Sequence, residues 1–286
     1  MSLVVHHNKR KIRMKEIARI KEQLINEPWL ITQEAFVTLE HSLAEVFTLD
    51  MEGVDILDQN VAMDSGIAVV NIEGTMMRNV PPLVAQLFGL VDTAVLQEKI
   101  KELTENDSVE GIMLDIDSPG GSATGIGELA DLISKADEVK PVYASTEGLM
   151  ASAAYWVGSQ ARAVLSTASA KVGSIGVYLP VIDAEEAYKS KGIKVKLITN
   201  KEATYKGAGF EGTKMTEEQE KYMQDMVQDI FNDFRDGVVS SRPQVESDAM
   251  RGQVFLGNRA KSQGLIDMVG SYDDAMFLLK KEVDGY

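Results

Sequence analysis

From Gly66 onward, the apolar positions of the chain switch repeatedly between two periods. The run GIAVVNIEG (66–74) is almost continuously apolar and predicts a strand buried on both faces, as does VEGIMLDID (109–117). Between them, Leu83 to Leu103 carries apolar residues at helical spacing, and Ile126, Leu129, Leu132 and Ile133 mark another helical stripe. PVYAST (141–146) reads as a strand, and an apolar helical pattern starts after Ser152. AVLSTASAKVGSIGVYL (163–179) reads as short strands, Ala184 to Ser190 as a helix, and KVKLITN (194–200) as a further strand. Thr216 and Gln219 form a capping box. The helix it opens would present Tyr222, Met223, Met226, Val227, Ile230, Phe231, Phe234 and Val238 on one face. Strands alternating with helices predict an α/β fold, and no fixed-period repeat is evident.

The first 65 residues follow a different pattern. Lys9 to Lys21 holds seven Lys/Arg against the single acid Glu16 and reads as a solvated amphipathic helix. A second helical pattern, Gln33 to Phe47, follows NEPWL, where Pro28 is expected in a turn. Met51 to Gly66 is polar and reads as a linker. The expected division is therefore a helical extension and linker over 1–65 and a compact domain over 66–286.

Charge and composition narrow the function. A formal net charge of -15 argues against a nucleic-acid partner, whose binding rests on basic surface and counterion release. The absence of cysteine excludes disulfides, thiolate metal sites and a cysteine nucleophile, and fits a reducing compartment. No stretch has the length and apolarity of a spanning helix or a secretory signal, so a cytoplasmic protein without a membrane anchor is expected.

Three stretches carry candidate chemistry. DIDSPGG (115–121) ends a strand in a Pro-Gly-Gly turn, where glycines let another backbone approach closely. An ordinary strand-to-helix connection has the same composition. Asp115 and Asp117 sit at this strand end, where acids commonly form turns, and no metal is expected. GIGELA (125–130) matches the dinucleotide fingerprint, with Glu147 about 20 residues on, but SPGGSAT separates it from the strand it should follow directly. No cofactor is therefore expected. TEGLMASAAYW (146–156) sets Ser152 among small residues where a strand gives way to a helix, either as core filler or as a nucleophile. The histidines are His6, His7 and His41, all in the extension, so a Ser-His-Asp triad would need that extension folded back over the core. A G-x-S-x-G elbow is absent. A lysine can replace histidine as base when burial keeps its amine neutral, and Lys206 in ATYKGAGF is the best candidate by its small neighbours.

DSPGGSATGIGELADLI, MASAAYW, VGSIGVY, TYKGAGF and GQVFLGNRAKSQGLIDMVGSYDDAM occur in the order and at about the spacings of the Ser-Lys peptidases related to signal peptide peptidase A. The resemblance runs from Gly66 to about Leu279. NEPWLITQEAF in the extension is similar to a segment of the phage head-maturation (capsid assembly) proteases of that family. The resemblance implies a Clp/crotonase-like α/β fold of stacked strand-strand-helix units. It implies Ser152 as nucleophile, Lys206 as general base, and Ser174 as the hydroxyl that holds the lysine amine. Backbone N–H groups of Gly121 and Ala153 would form the oxyanion hole, although family members often carry glycine where Ala153 stands. An extended peptide or protein substrate, such as a capsid scaffold or portal protein, would pair as an added strand near Gly120 and Gly121.

The resemblance also implies a homo-oligomer, working in the bacterial cytoplasm or the procapsid. The alternatives are a soluble cytoplasmic peptidase of signal peptides or short peptides, and an inactive scaffold or binding module of the same fold. Intact Ser152 and Lys206 argue against the inactive scaffold.

Overall fold

The computed structural model describes residues 27–45 and 61–285. The basic stretch Lys9–Lys21, His6 and His7, and residues 51–60 of the expected linker lie outside the described residues. Two long strands dominate: β3 (Ile67–Glu73) and β6 (Gly111–Asp117), side by side and parallel. They are the two continuous apolar runs, and they belong to a six-stranded sheet covered on both faces. To it are added β2 (Val61–Asp64), β8 (Val142–Thr146), β10 (Ala163–Ser166) and β13 (Met268–Val269), in the order β13-β10-β8-β6-β3-β2. Only β2 runs antiparallel to its neighbour.

Four strands of this sheet are each followed by a strand of three residues that leaves it. β3 leads to β4 (Thr75–Met77), β6 to β7 (Gly120–Ser122), β8 to β9 (Leu149–Ala151) and β10 to β11 (Lys171–Gly173). Helices then close the units: α1 (Gln33–Glu45) precedes them, α2 (Pro82–Phe88) and α3 (Thr93–Glu105) follow β4, α4 (Ile126–Val139) follows β7, and α5 (Ala153–Gly158) follows β9. The expected stacking of strand-strand-helix units is therefore observed. Ala68, Val70 and Ile72 face one side of the sheet and pack with Leu96 and Ile100 of α3 and Leu129 and Ile133 of α4. Ile67 and Val69 face the other side and pack with Ala275, Met276 and Leu279 of α9 (Tyr272–Val283). This is the period-two alternation of a sheet buried on both faces.

The structure departs from the sequence reading in five places. Val61–Asp64, read as the end of a linker, forms β2 and joins the main sheet. Leu83 to Leu103 is not one helix: Gly89, at φ +58°, ends α2, and a strand β5 (Leu90–Asp92) intervenes. Asp92 then caps α3, accepting from the Ala94 N–H at 2.9 Å. KVKLITN forms no strand; it lies in an exposed stretch where Ile198 is 86% accessible. The capping box of Thr216 and Gln219 is present at the start of α7 (Glu217–Ser241), yet along the expected apolar face only Phe234 and Val238 are buried. Phe234 stacks on Trp156 at 4.9 Å, whereas Tyr222 stays exposed. Finally, Pro28 leads into a strand, β1 (Trp29–Ile31), which pairs antiparallel with β7. Trp29, Ile31 and Leu39 share a buried cluster with Met77, Val80, Val84 and Leu90, so this segment packs directly on the α/β body.

Candidate active site

Ser152 sits at the junction of β9 and α5, where three neighbouring segments converge. It caps α5 with φ +56° and ψ -121°, a backbone conformation that few residues other than glycine adopt. The conformation is held from both sides. The Ser152 N–H donates to the Gly173 carbonyl at 2.7 Å, and the preceding Ala151 N–H donates to the Ser118 carbonyl at 3.1 Å. The side chain is 1% exposed, and its Oγ makes no hydrogen bond with any described residue. A buried hydroxyl without a partner costs about 1–3 kcal/mol. Core filler would avoid that cost with alanine, as at Ala151, Ala153 and Ala154 on either side.

The Pro-Gly-Gly turn is fastened against this serine by Ser118, which the sequence reading did not single out. Ser118 Oγ donates to the Gly74 carbonyl at 2.7 Å and accepts from the Gly120 N–H at 3.2 Å, while the Ser118 N–H donates to the Leu149 carbonyl at 2.7 Å. The backbone of the turn is packed so closely that only glycine fits. A Cβ on Gly120, which has φ +100°, would lie 2.9 Å from Ser152 Cβ. One on Gly121 would lie 1.8 Å from the Met76 carbonyl oxygen. On the opposite side, Ser174 follows β11 directly, is 9% exposed and also has positive φ, +56°. Its N–H donates to the Gln253 carbonyl at 2.6 Å, just before β12 (Val254–Leu256).

Ser152, Ala153, Gly120, Gly121 and Ser174 are thus gathered from three separate turns. Lys206 is not among them. It lies in an exposed glycine-containing turn, its N–H bonded to the Ala203 carbonyl at 3.2 Å, and no hydrogen bond joins its amine to Ser152 or Ser174. His41 is exposed on α1. The edge of β7 expected to receive substrate is occupied within the chain: β1 pairs with one side and Met76 of β4 with the other. Trp29 of β1 is also bridged to Tyr178 by reciprocal backbone bonds of 2.8 and 3.1 Å. Burial, with help from the Glu34 carboxylate, pushes the Tyr178 phenol up to about 12.

Asp115 and Asp117 line a separate cleft with Glu73, Glu147 and Tyr272. Burial pushes the Asp115 carboxyl above the ordinary carboxylate range, and Glu147, Asp117 and Glu73 push it the same way. No group of three or more His, Cys, Asp or Glu suited to a metal ion occurs among the described residues. Gly125 N-caps α4 with φ +81°, and a Cβ there would meet the Arg78 guanidinium at 2.6 Å.

The sequence profile of Peptidase family S49 matches residues 134–285, more than half of the chain and including Ser152, Ser174 and Lys206. The chain belongs to peptidase family S49. Among its relatives is MJ0651, a candidate protease of Methanocaldococcus jannaschii, 33% identical over 64% of this chain and 59% of the relative. Capsid assembly protease C of Escherichia phage lambda is 26% identical over 77% of this chain and 50% of the relative. The head-tail preconnector protein GP5 of Enterobacteria phage P21 is 27% identical over 75% and 43%. The S49 chain thus spans about half the length of these relatives. An enoyl-CoA hydratase of Shewanella pealeana is similar in structure, with a TM-score of 0.46 and 12% identity over 80% of this chain and 74% of that one. No described helix of this S49 member is long and apolar enough to cross a membrane.

Proposed function

We propose that this S49 member is a serine endopeptidase that cleaves peptide bonds through an acyl-enzyme on Ser152, with Lys206 as general base. The observation that carries the reading is the serine itself: buried, unbonded at Oγ, and held at positive φ against a glycine turn. Ser152 Oγ attacks the scissile carbonyl carbon while its proton passes to the Lys206 amine. The tetrahedral oxyanion faces the N–H groups of Gly121 and Ala153, donors worth on the order of 3 kcal/mol each. Collapse expels the amine product, which takes the proton back from Lys206. Water then attacks the acyl group, giving up a proton to Lys206, which passes it to the departing Ser152 Oγ as the acid product leaves. Ser174 holds the lysine amine.

Lys206 has to reach Ser152 for this chemistry, and the surroundings of Lys206 support its arrival in an oligomer. The stretch 178–215 exposes Ile182, Ile198 and Phe210, apolar surface that a second copy of the chain would cover. The biological setting that fits best is phage or prophage capsid assembly, with a scaffold or portal protein as substrate. The NEPWLITQEAF segment and the two phage relatives support it. The test is kinetic. Ser152→Ala and Lys206→Ala should each lower kcat/KM for a peptide substrate by at least about a thousandfold, because the pair acts as one unit. Either variant remaining within about tenfold of wild type, with an unaltered fold, excludes the dyad.

A further inference from the structure

The segment 27–32 lies against the Gly120–Gly121 turn as a substrate would, and its register can be read residue by residue. The Ala123 N–H donates to the Pro28 carbonyl, and the Thr32 N–H to the Pro119 carbonyl, each at 3.0 Å. Hydrogen-bonded pairs alternate along an antiparallel ladder. The pair midway between these two, Leu30 opposite Gly121, is therefore one that exchanges bonds, with the Gly121 N–H directed at the Leu30 carbonyl. That carbonyl is beside the serine: a Cβ on Gly120 would lie 2.0 Å from the Leu30 oxygen and 2.9 Å from Ser152 Cβ. On its other side the segment is bonded to Tyr178 through Trp29. At its start, the Glu27 carboxylate accepts from Ser122 Oγ at 2.5 Å and Thr124 Oγ1 at 3.2 Å.

We infer that β1 is an internal occupant of the substrate groove, which keeps the peptidase latent by presenting Leu30 where the residue before the scissile bond of a substrate would sit. This rests on the reading of Ser152 as nucleophile and Gly121 as an oxyanion donor. Leu30 is fully buried in the main core cluster, so the pocket it fills selects a leucine-sized apolar side chain. Trp29 and Ile31 pack into the second cluster, which holds the strand in place from both flanks. Being part of the same chain, β1 competes at an effective concentration of about millimolar without any diffusional encounter. Peptides reach Ser152 only when the strand lifts away.

A reversible lock tests this in the full chain, which has no native cysteine. Glu27 and Thr124 continue the register as a non-hydrogen-bonded pair, a separation of about 4.5 Å that a disulfide can span. In the Glu27→Cys/Thr124→Cys double variant, oxidation should lower hydrolysis of a leucine-containing peptide at least about tenfold, and reduction should restore it. A second measurement needs no variant. Loading wild-type Ser152 with a leucine peptide aldehyde should speed amide exchange at residues 29–32. Equal rates for the oxidised and reduced forms, or amides at 29–32 that stay protected while Ser152 is loaded, would overturn the inference and leave the peptidase reading intact. Cleavage of the chain between Leu30 and Ile31 would make β1 a substrate and overturn it too. If the reduced variant and wild type neither hydrolyse peptide nor react at Ser152, the peptidase reading falls and the latent strand with it.

Discussion

The amide of Ser152 donates to the carbonyl of Gly173 over 2.7 Å, which ties the serine to the strand that delivers Ser174 one residue later. This bond, together with the one from Ala151 to Ser118, suspends the β9–α5 junction between two neighbouring turns. The positive φ of Ser152 is stable because both flanks are fixed. Its hydroxyl is thereby aimed without any side-chain bond of its own.

A hydroxyl held this way costs stability, and removing it should show that. Ser152→Ala deletes a buried, unpaired polar group and should raise the urea midpoint by the equivalent of about 1 kcal/mol while abolishing turnover. Ser152→Gly relieves backbone strain worth about 1–3 kcal/mol, offset by about 0.5–1 kcal/mol of added unfolded-chain entropy, and should be at least as stable as the alanine variant. A loss above about 1 kcal/mol in Ser152→Ala would mean that the hydroxyl is a structural bonding group.

The exposed placement of Lys206 leads to a test by mixing. If a second copy supplies the lysine, inactive Ser152→Ala and Lys206→Ala chains should restore activity when they are unfolded together and refolded as a mixture. Each kind of chain then contributes its intact residue to a shared site. No recovery, from a mixture shown to co-assemble, would place both residues of each working dyad in one chain.

Asp115 predicts a pH dependence separate from catalysis. Burial and three nearby carboxylates hold its folded-state titration above the ordinary range, so in the interval between the unfolded and folded values the native state binds more protons. Stability then falls as pH rises through the folded value, and the penalty persists at neutral pH. Asp115→Asn should therefore be more stable than wild type at pH 7, with the difference shrinking as both are acidified. Denaturant midpoints across pH 3 to 8 check the sign. A variant less stable than wild type at pH 7 would assign the carboxylate a favourable partner.

Much of this arrangement could be read in the sequence because its causes are local. The continuous apolar runs of β3 and β6 mark strands covered on both faces, and Thr216 with Gln219 marks a helix start wherever it packs. β1 was not legible. Its three residues follow a proline and have no alternation to betray them, and they are extended only because β7 and Tyr178 bond them from either side. KVKLITN failed in the opposite way: it alternates like a strand but pairs with no strand among the described residues, so Leu197 and Ile198 remain exposed. In the candidate site, the glycines and Ser152 stood out by type. Ser118 did not, because its role depends on reaching Gly74, 44 residues earlier in the chain. The strain at Ser152 and Ser174 is a product of tertiary bonding that no local pattern records.

Covalent labelling asks of the molecule itself whether Ser152 is a nucleophile activated by Lys206. The intact chain is incubated for hours with a small fluorophosphonate and the modified residue is mapped by mass spectrometry. A single adduct should appear on Ser152, be absent from Ser152→Ala, and form at least about a hundredfold more slowly in Lys206→Ala. An adduct on another serine would move the nucleophile away from Ser152, and labelling of Ser152 at the wild-type rate in Lys206→Ala would mean that Lys206 does not activate it.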